Sequence, residues 1–181
     1  GLGAQLVHWQ PHLISFLQDN NFRPIAYDNR DVGLSSRFTA TPSFVLDYIK
    51  YFLRLPIKSE YKIDDMADDG IQLLETLKIE KAHIFSTSMG GMIAQIISAQ
   101  YPEKVKTFTL IASTASTPSP INAPTRAVRE IMLQRSKNPN ASYEEIIKRE
   151  IKMVSLIGME GREVDTPEFR KETIENLDRS K

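Results

Sequence analysis

The segment from Ala82 to Ile111 constrains the fold more than any other stretch of the chain. Ala82-His83-Ile84-Phe85 is a short apolar run, Met89 to Gln100 has helical spacing and stops before Pro102, and Val105 to Ile111 is a second apolar run. Short apolar runs bounded by turn residues fit buried strands, and the residue before a proline is pushed out of the helical region. Strand, helix and strand in such quick succession imply two parallel neighbours joined by a right-handed crossover. The alternation starts earlier, with the apolar run Ile25-Ala26-Tyr27, which ends at Asp28 and leads into a turn containing Gly33. Between that run and Ala82, residues Ile63, Met66, Ala67, Ile71, Leu74 and Leu77 recur at helical spacing and give one inward apolar face. A further helix is expected from Thr41-Pro42, an N-cap followed by proline in the first turn, to Pro56. The expected class is α/β, a mostly parallel sheet with flanking helices.

Beyond about Ser113 the pattern changes. Ser, Thr, Pro and Asn dominate up to Pro124, and the remainder reads as helices: Pro124 to Arg135, a helix capped by Ser142 with Glu145, and a last one opened by Thr166-Pro167. Residues 1–115 are therefore expected to form the α/β core and residues 116–181 a helical cap or lid. Ordinary helices flanking the sheet are the alternative.

Composition narrows the partners. The 181 residues suit one domain or most of a larger one. Acidic and basic residues balance at 23 each, with no basic patch for nucleic acid and no polybasic run for a membrane surface. No apolar stretch nears the ~20 residues of a membrane-spanning helix. With no cysteine there is neither a disulfide nor a thiolate metal site, which fits a reducing cytoplasm. The expected partner is a small neutral molecule, and no metal or cofactor is implied; the oligomeric state is left open.

The residues with chemistry lie in Phe85-Ser86-Thr87-Ser88-Met89-Gly90-Gly91, at the junction of an expected strand and an expected helix. A serine held in a tight strand-to-helix turn needs small neighbours two before and two after it, here Ser86 and Gly90. The helix that follows aims its first amides at the reacting centre, where they stabilise an oxyanion. A Gly-Ser turn without chemistry is the plainer reading of the same letters. Ser88 is expected at a sharp turn, with its Oγ facing a cavity below the cap.

Ser88-Met89-Gly90-Gly91 resembles the nucleophile elbow of α/β-hydrolases, and three other segments match in order. Gly1-Leu2-Gly3 resembles the end of the oxyanion loop, Asp28 to Ser36 resembles the turn after the fourth strand, and Tyr61 to Leu77 resembles the helix leading into the elbow strand. In texture the chain is similar to the ester-hydrolase branch that includes aclacinomycin methylesterase-like proteins. The resemblance implies Ser88 as nucleophile, an oxyanion hole from the backbone N–H groups of Leu2 and Met89, and hydrolysis of a small or lipophilic carboxylic ester.

Two departures matter. Ser86 stands where that family usually has glycine. In addition, the family places acid and histidine after the serine, whereas the chain's three histidines, His8, His12 and His83, all precede Ser88. The chain is therefore expected to be a fragment that lacks acid and base and is inactive alone. A non-catalytic ligand-binding protein on the same fold is the alternative function. Arg30 and Asp31 line a pocket or brace their turn; Met132, Met153 and Met159 meet an apolar substrate or fill a core. Asp64, Asp65, Asp68 and Asp69 read as a solvated helix face.

Overall fold

The computed structural model of the chain describes residues 3–38, 50, 59–115, 125–137, 140–158 and 161–179. They fall into two compact units, Gly1–Thr117 and Pro118–Lys181. In the first, α1 spans Pro11–Asp19, α2 Ile63–Thr76, β1 Ala82–Thr87, α3 Met89–Gln100 and β2 Val105–Ile111. In the second, α4 spans Arg126–Lys137, α5 Tyr143–Ile157 and α6 Pro167–Arg179. The helix expected from Thr41 to Pro56 lies outside the described residues.

β1 and β2 are parallel, with Ile84 opposite Phe108, Ser86 opposite Leu110 and Thr87 opposite Ile111. A crossover through α3 makes this the expected β-α-β unit. Helix α2 starts where Asp64 and Asp65 favour the positive end of the helix dipole, and the Asp65 carboxylate accepts a hydrogen bond from Lys62 N–H. Its apolar stripe, Met66, Ala67 and Ile71, buries against Ile93 and Ile97 of α3. Gly70 lets α2 come close, since a Cβ there would lie 3.0 Å from Tyr27 Oη and 3.2 Å from Ile97 Cδ1. Tyr27 is thereby seated on α2, and burial first, then the nearby Asp69 charge, push its phenol above the usual tyrosine range.

The sequence expectations need two corrections here. The Ile25-Ala26-Tyr27 run is extended but belongs to no strand, and Ile25 and Ala26 are exposed. A strand exists only with a ladder partner, and among the described residues no backbone hydrogen bond joins this run to β1. Nor is β2 buried: from Lys106 to Ile111 every residue is exposed. In a two-stranded sheet each strand is an edge, so length and apolarity do not ensure burial.

In the second unit the Ser142–Glu145 capping box forms as its spacing predicts, with Glu145 N–H donating to Ser142 Oγ and Glu145 accepting from Ser142 N–H. Ile147 is buried, with Ile151 and Val154 half-buried on the same face of α5. Thr166 Oγ1 caps α6 by accepting from Phe169 N–H. Arg170 ties α6 to Asp165 and to Glu144 of α5, and Tyr143 donates to Asp178.

Candidate active site

Ser88 is the one residue between the end of β1 and the start of α3. Its backbone sits at φ 53°, ψ −123°, the conformation of the first central position of a type II′ turn, where glycine normally stands. Two hydrogen bonds clamp it: Ser88 N–H donates to Ile111 O at 3.0 Å, and Ser88 O accepts from Gly91 N–H at 2.9 Å. No side-chain capping bond engages the serine, and the residue is exposed. Met89 follows as the first residue of α3, so its amide lies in the orphan first turn of the helix. Leu2, the other expected oxyanion donor, lies outside the described residues.

The small residues around the elbow divide the work differently from the sequence reading. Ser86 is buried and donates from Oγ to Thr109 O at 3.0 Å, stitching β1 to β2 just below the turn. A Cβ on Gly90 would meet Ser86 Cβ at 4.0 Å, an ordinary contact. Gly91 is the tight position, because a Cβ there would lie 2.5 Å from Ser113 Cβ and 2.6 Å from its Oγ. Ser113 Oγ is itself buried with no hydrogen-bond partner among the described residues. The second glycine after the serine is visible in sequence, but its steric partner is 22 residues away.

Gly3 opens the N-terminal loop with φ 67°, a left-handed conformation that glycine adopts without strain. Asp28 anchors that loop: its buried carboxylate accepts from Leu6 N–H at 2.7 Å on one oxygen and from Leu34 N–H at 3.2 Å on the other. One side chain therefore fixes both the loop after Gly3 and the turn from Asp28 to Ser36. Arg30 braces the same turn. Its guanidinium grips Asp69 with two 2.7 Å bonds and lies over the adjoining rings of Phe38 and Tyr61, 5.3 and 5.1 Å from their centroids. Burial acts to raise the Asp31 carboxyl, but hydrogen bonds from Phe38 N–H and Tyr61 O–H, with Arg37 and Arg30 nearby, hold it below the usual carboxylate range. Tyr61 is pushed up to about 12, first by burial and then by its bond to Asp31.

The acidic cluster on α2 is only partly a solvated face. Asp65 caps the helix, Asp68 accepts from Tyr101 O–H at 2.7 Å and Asp69 pairs with Arg30. Among the described residues no group of acids or histidines is placed to hold a metal ion.

None of the three histidines is presented as a base for Ser88. His83 pairs with Thr107 Oγ1 and lies five residues up the strand, roughly 16 Å away at ~3.3 Å per residue. His8 Nδ1 is engaged locally, 2.9 Å from Gln5 N and 3.2 Å from Gln5 O. His12 is exposed on α1. Two cavities of about 230 and 700 Å3 flank β1, and Ser88 lines neither.

A parallel β-α-β unit with a serine at its strained elbow is an α/β-hydrolase arrangement, and the sequence comparison agrees. The model of the α/β hydrolase fold family matches residues 1–148, and the chain belongs to that family. Among its relatives are the rhodomycin D methylesterases DauP of Streptomyces sp. strain C5 and DnrP of Streptomyces peucetius. Each is 25% identical over 92% of this chain and 55% of its own length. 3-Oxoadipate enol-lactonase 2 of Acinetobacter baylyi is 33% identical over 64% of this chain and 35% of its own. These relatives are hydrolases, and the chain spans about half the length of the methylesterases it matches. Among the described residues no helix is long and apolar enough to cross a membrane.

Proposed function

We propose that this chain carries the nucleophile and the two oxyanion-hole amides of a serine hydrolase acting on a small or lipophilic carboxylic ester. The observation that carries the proposal is the backbone of Ser88. A serine held where glycine is preferred costs of order 1–3 kcal/mol and persists only when its surroundings enforce it, as Ile111 and Gly91 do here. Such strain places a hydroxyl at the tip of a turn, ahead of the free amides of a helix.

In this reading Ser88 Oγ loses its proton to a general base and attacks the ester carbonyl. The negative charge that forms on the carbonyl oxygen is held by Met89 N–H and Leu2 N–H, and collapse of the tetrahedral intermediate expels the alcohol. Water, deprotonated by the same base, then releases the acid from Ser88. Among the described residues none of His8, His12 and His83 is set to serve as that base. The methylesterase and lactonase relatives support an ester or lactone carbonyl as the substrate class.

The test is rapid-mixing kinetics on the intact polypeptide with a p-nitrophenyl acyl ester. The proposal expects a burst of one p-nitrophenol per chain when deacylation is slower than acylation, and loss of both burst and turnover in Ser88→Ala. Undiminished turnover by Ser88→Ala would remove the nucleophile.

A further inference from the structure

Two residues other than glycine hold left-handed backbone at neighbouring strand ends. Ser88 follows β1 at φ 53°, and Ala112 follows β2 at φ 47°. They are partners across the ladder. Thr87 is opposite Ile111, and Ser88 N–H donates to Ile111 O, the slanted bond that a parallel ladder makes when the next pair is Ser88 and Ala112. Ser88 O, which a longer ladder would offer to Ser113 N–H, accepts from Gly91 N–H instead. Neighbouring strands lie roughly 5 Å apart, so Ala112 stands beside the nucleophile on the β2 side.

The bend at Ala112 is fixed from both sides. Before it, Ile111 O is held by Ser88. After it, Ser113 lies against Gly91, where a Cβ would come within 2.5 Å, and Gln95 Nε2 donates to both Gly91 O and Thr114 O at 3.1 Å. Ala112 is left to absorb the change of direction. Glycine would do so without strain, whereas a Cβ crowds the backbone in the left-handed region. The Ala112 methyl is exposed and is no part of the core. Strain kept at an exposed residue beside a reacting group points to a role for the atom that causes it.

The oxyanion donors set the direction of the substrate. Ala4, Gln5 and Leu6, on the loop that follows Leu2, share a cavity wall with Thr87 and Gly90, and no residue of β2 lines that cavity. The loop therefore stands on the side of β1 away from β2. A carbonyl oxygen held between Met89 N–H and that loop points away from β2, which turns the other two substituents of the carbonyl carbon toward Ala112. A single methyl there meets only atoms one or two bonds from the carbonyl carbon. We propose that Ala112 is a specificity-determining residue: its methyl limits branching next to the scissile carbonyl, so the site takes straight-chain acyl groups and turns away α-branched ones. The proposal rests on the serine-hydrolase reading of Ser88.

The experiment measures kcat/KM of the intact polypeptide for p-nitrophenyl acetate and p-nitrophenyl pivalate, in the parent, Ala112→Gly, Ala112→Asn and Ser88→Ala. The two esters share a leaving group, and their intrinsic reactivities cancel when the pivalate-to-acetate ratio is compared between variants. One methyl in a pocket wall is worth about 10-fold or more in discrimination. Ala112→Gly should therefore raise the ratio about 10-fold with acetate turnover unchanged. Ala112→Asn, whose larger side chain tolerates left-handed backbone, should lower it about 10-fold. Thermal unfolding accompanies the kinetics, and Ala112→Gly should melt no lower than the parent, which separates a change in the ratio from damage to the fold. An unchanged ratio in Ala112→Gly, while Ser88→Ala abolishes turnover, would overturn the proposal and leave the nucleophile standing. Undiminished turnover by Ser88→Ala, or no turnover of either ester by the parent, would remove both.

Discussion

Replacing Ser88 by glycine separates the fold's interest from the site's. At φ 53° a side chain is strained by about 1–3 kcal/mol, and glycine removes that strain. Against it stand the extra freedom glycine has in the unfolded chain, about 0.5–1 kcal/mol, and a few tenths for exchanging one N-cap residue for another. Little packing is lost, because Ser88 is exposed and its Oγ makes no capping bond. Ser88→Gly should therefore be more stable by about 0.5–2 kcal/mol. At ~2–4 °C per kcal/mol for a chain of this size, Tm rises by roughly 1–8 °C. Ser88→Ala keeps the Cβ and the strain and gains nothing. Urea and thermal unfolding followed by the fluorescence of Trp9, the only tryptophan, which packs on Phe85 at 5.6 Å, would report both variants. A Ser88→Gly protein no more stable than Ser88→Ala would refute the claim that the elbow stores strain.

Other expectations follow from the same geometry. Gly91→Ala forces a methyl into Ser113 and should destabilise by about 1–3 kcal/mol, whereas Gly90→Ala should be neutral or slightly stabilising; chemical denaturation of both variants decides this. Tyr61 should keep its phenol proton to about pH 12, seen as a late step in absorbance at 295 nm that Tyr61→Phe removes. Because its folded value is raised, Tyr61 lends stability that is complete below pH ~10 and lost between there and about pH 12, and alkaline unfolding should move accordingly. Residues 1–181 alone should show no detectable turnover of a p-nitrophenyl ester, since a serine without an adjacent base is weakly nucleophilic. Robust Ser88-dependent hydrolysis by that chain would mean that one of its own histidines reaches the serine.

The elements around Ser88 were legible because their signals are local. Apolar runs bounded by turn residues mark β1 and β2, Pro102 ends α3, and Ser142 with Glu145 opens α5. What escaped the sequence depends on partners far along the chain. Ile25 to Tyr27 has the composition of a strand, but pairing is a property of two segments and cannot be read from one. Asp68 and Asp69 look like solvated helix residues until Tyr101 and Arg30 come back to them. Gly91 reads as one of two interchangeable glycines until the end of β2 brings Ser113 against it. At the site, Ser88, Ser86 and Met89 stand where the strand-to-helix reading expects them. The clamp that Asp28 places on the Gly3–Leu6 loop carries no local signal beyond its aspartate.

The central claim, that Ser88 is a nucleophile, is tested most directly by covalent capture. The intact polypeptide is treated with a fluorophosphonate, digested with trypsin and sequenced by mass spectrometry. The account predicts one adduct, on Ser88 in the peptide from Ala82 to Lys104, which disappears in Ser88→Ala. An adduct on Ser86, Ser98 or a residue outside that peptide, in a protein that still hydrolyses the ester, would contradict it.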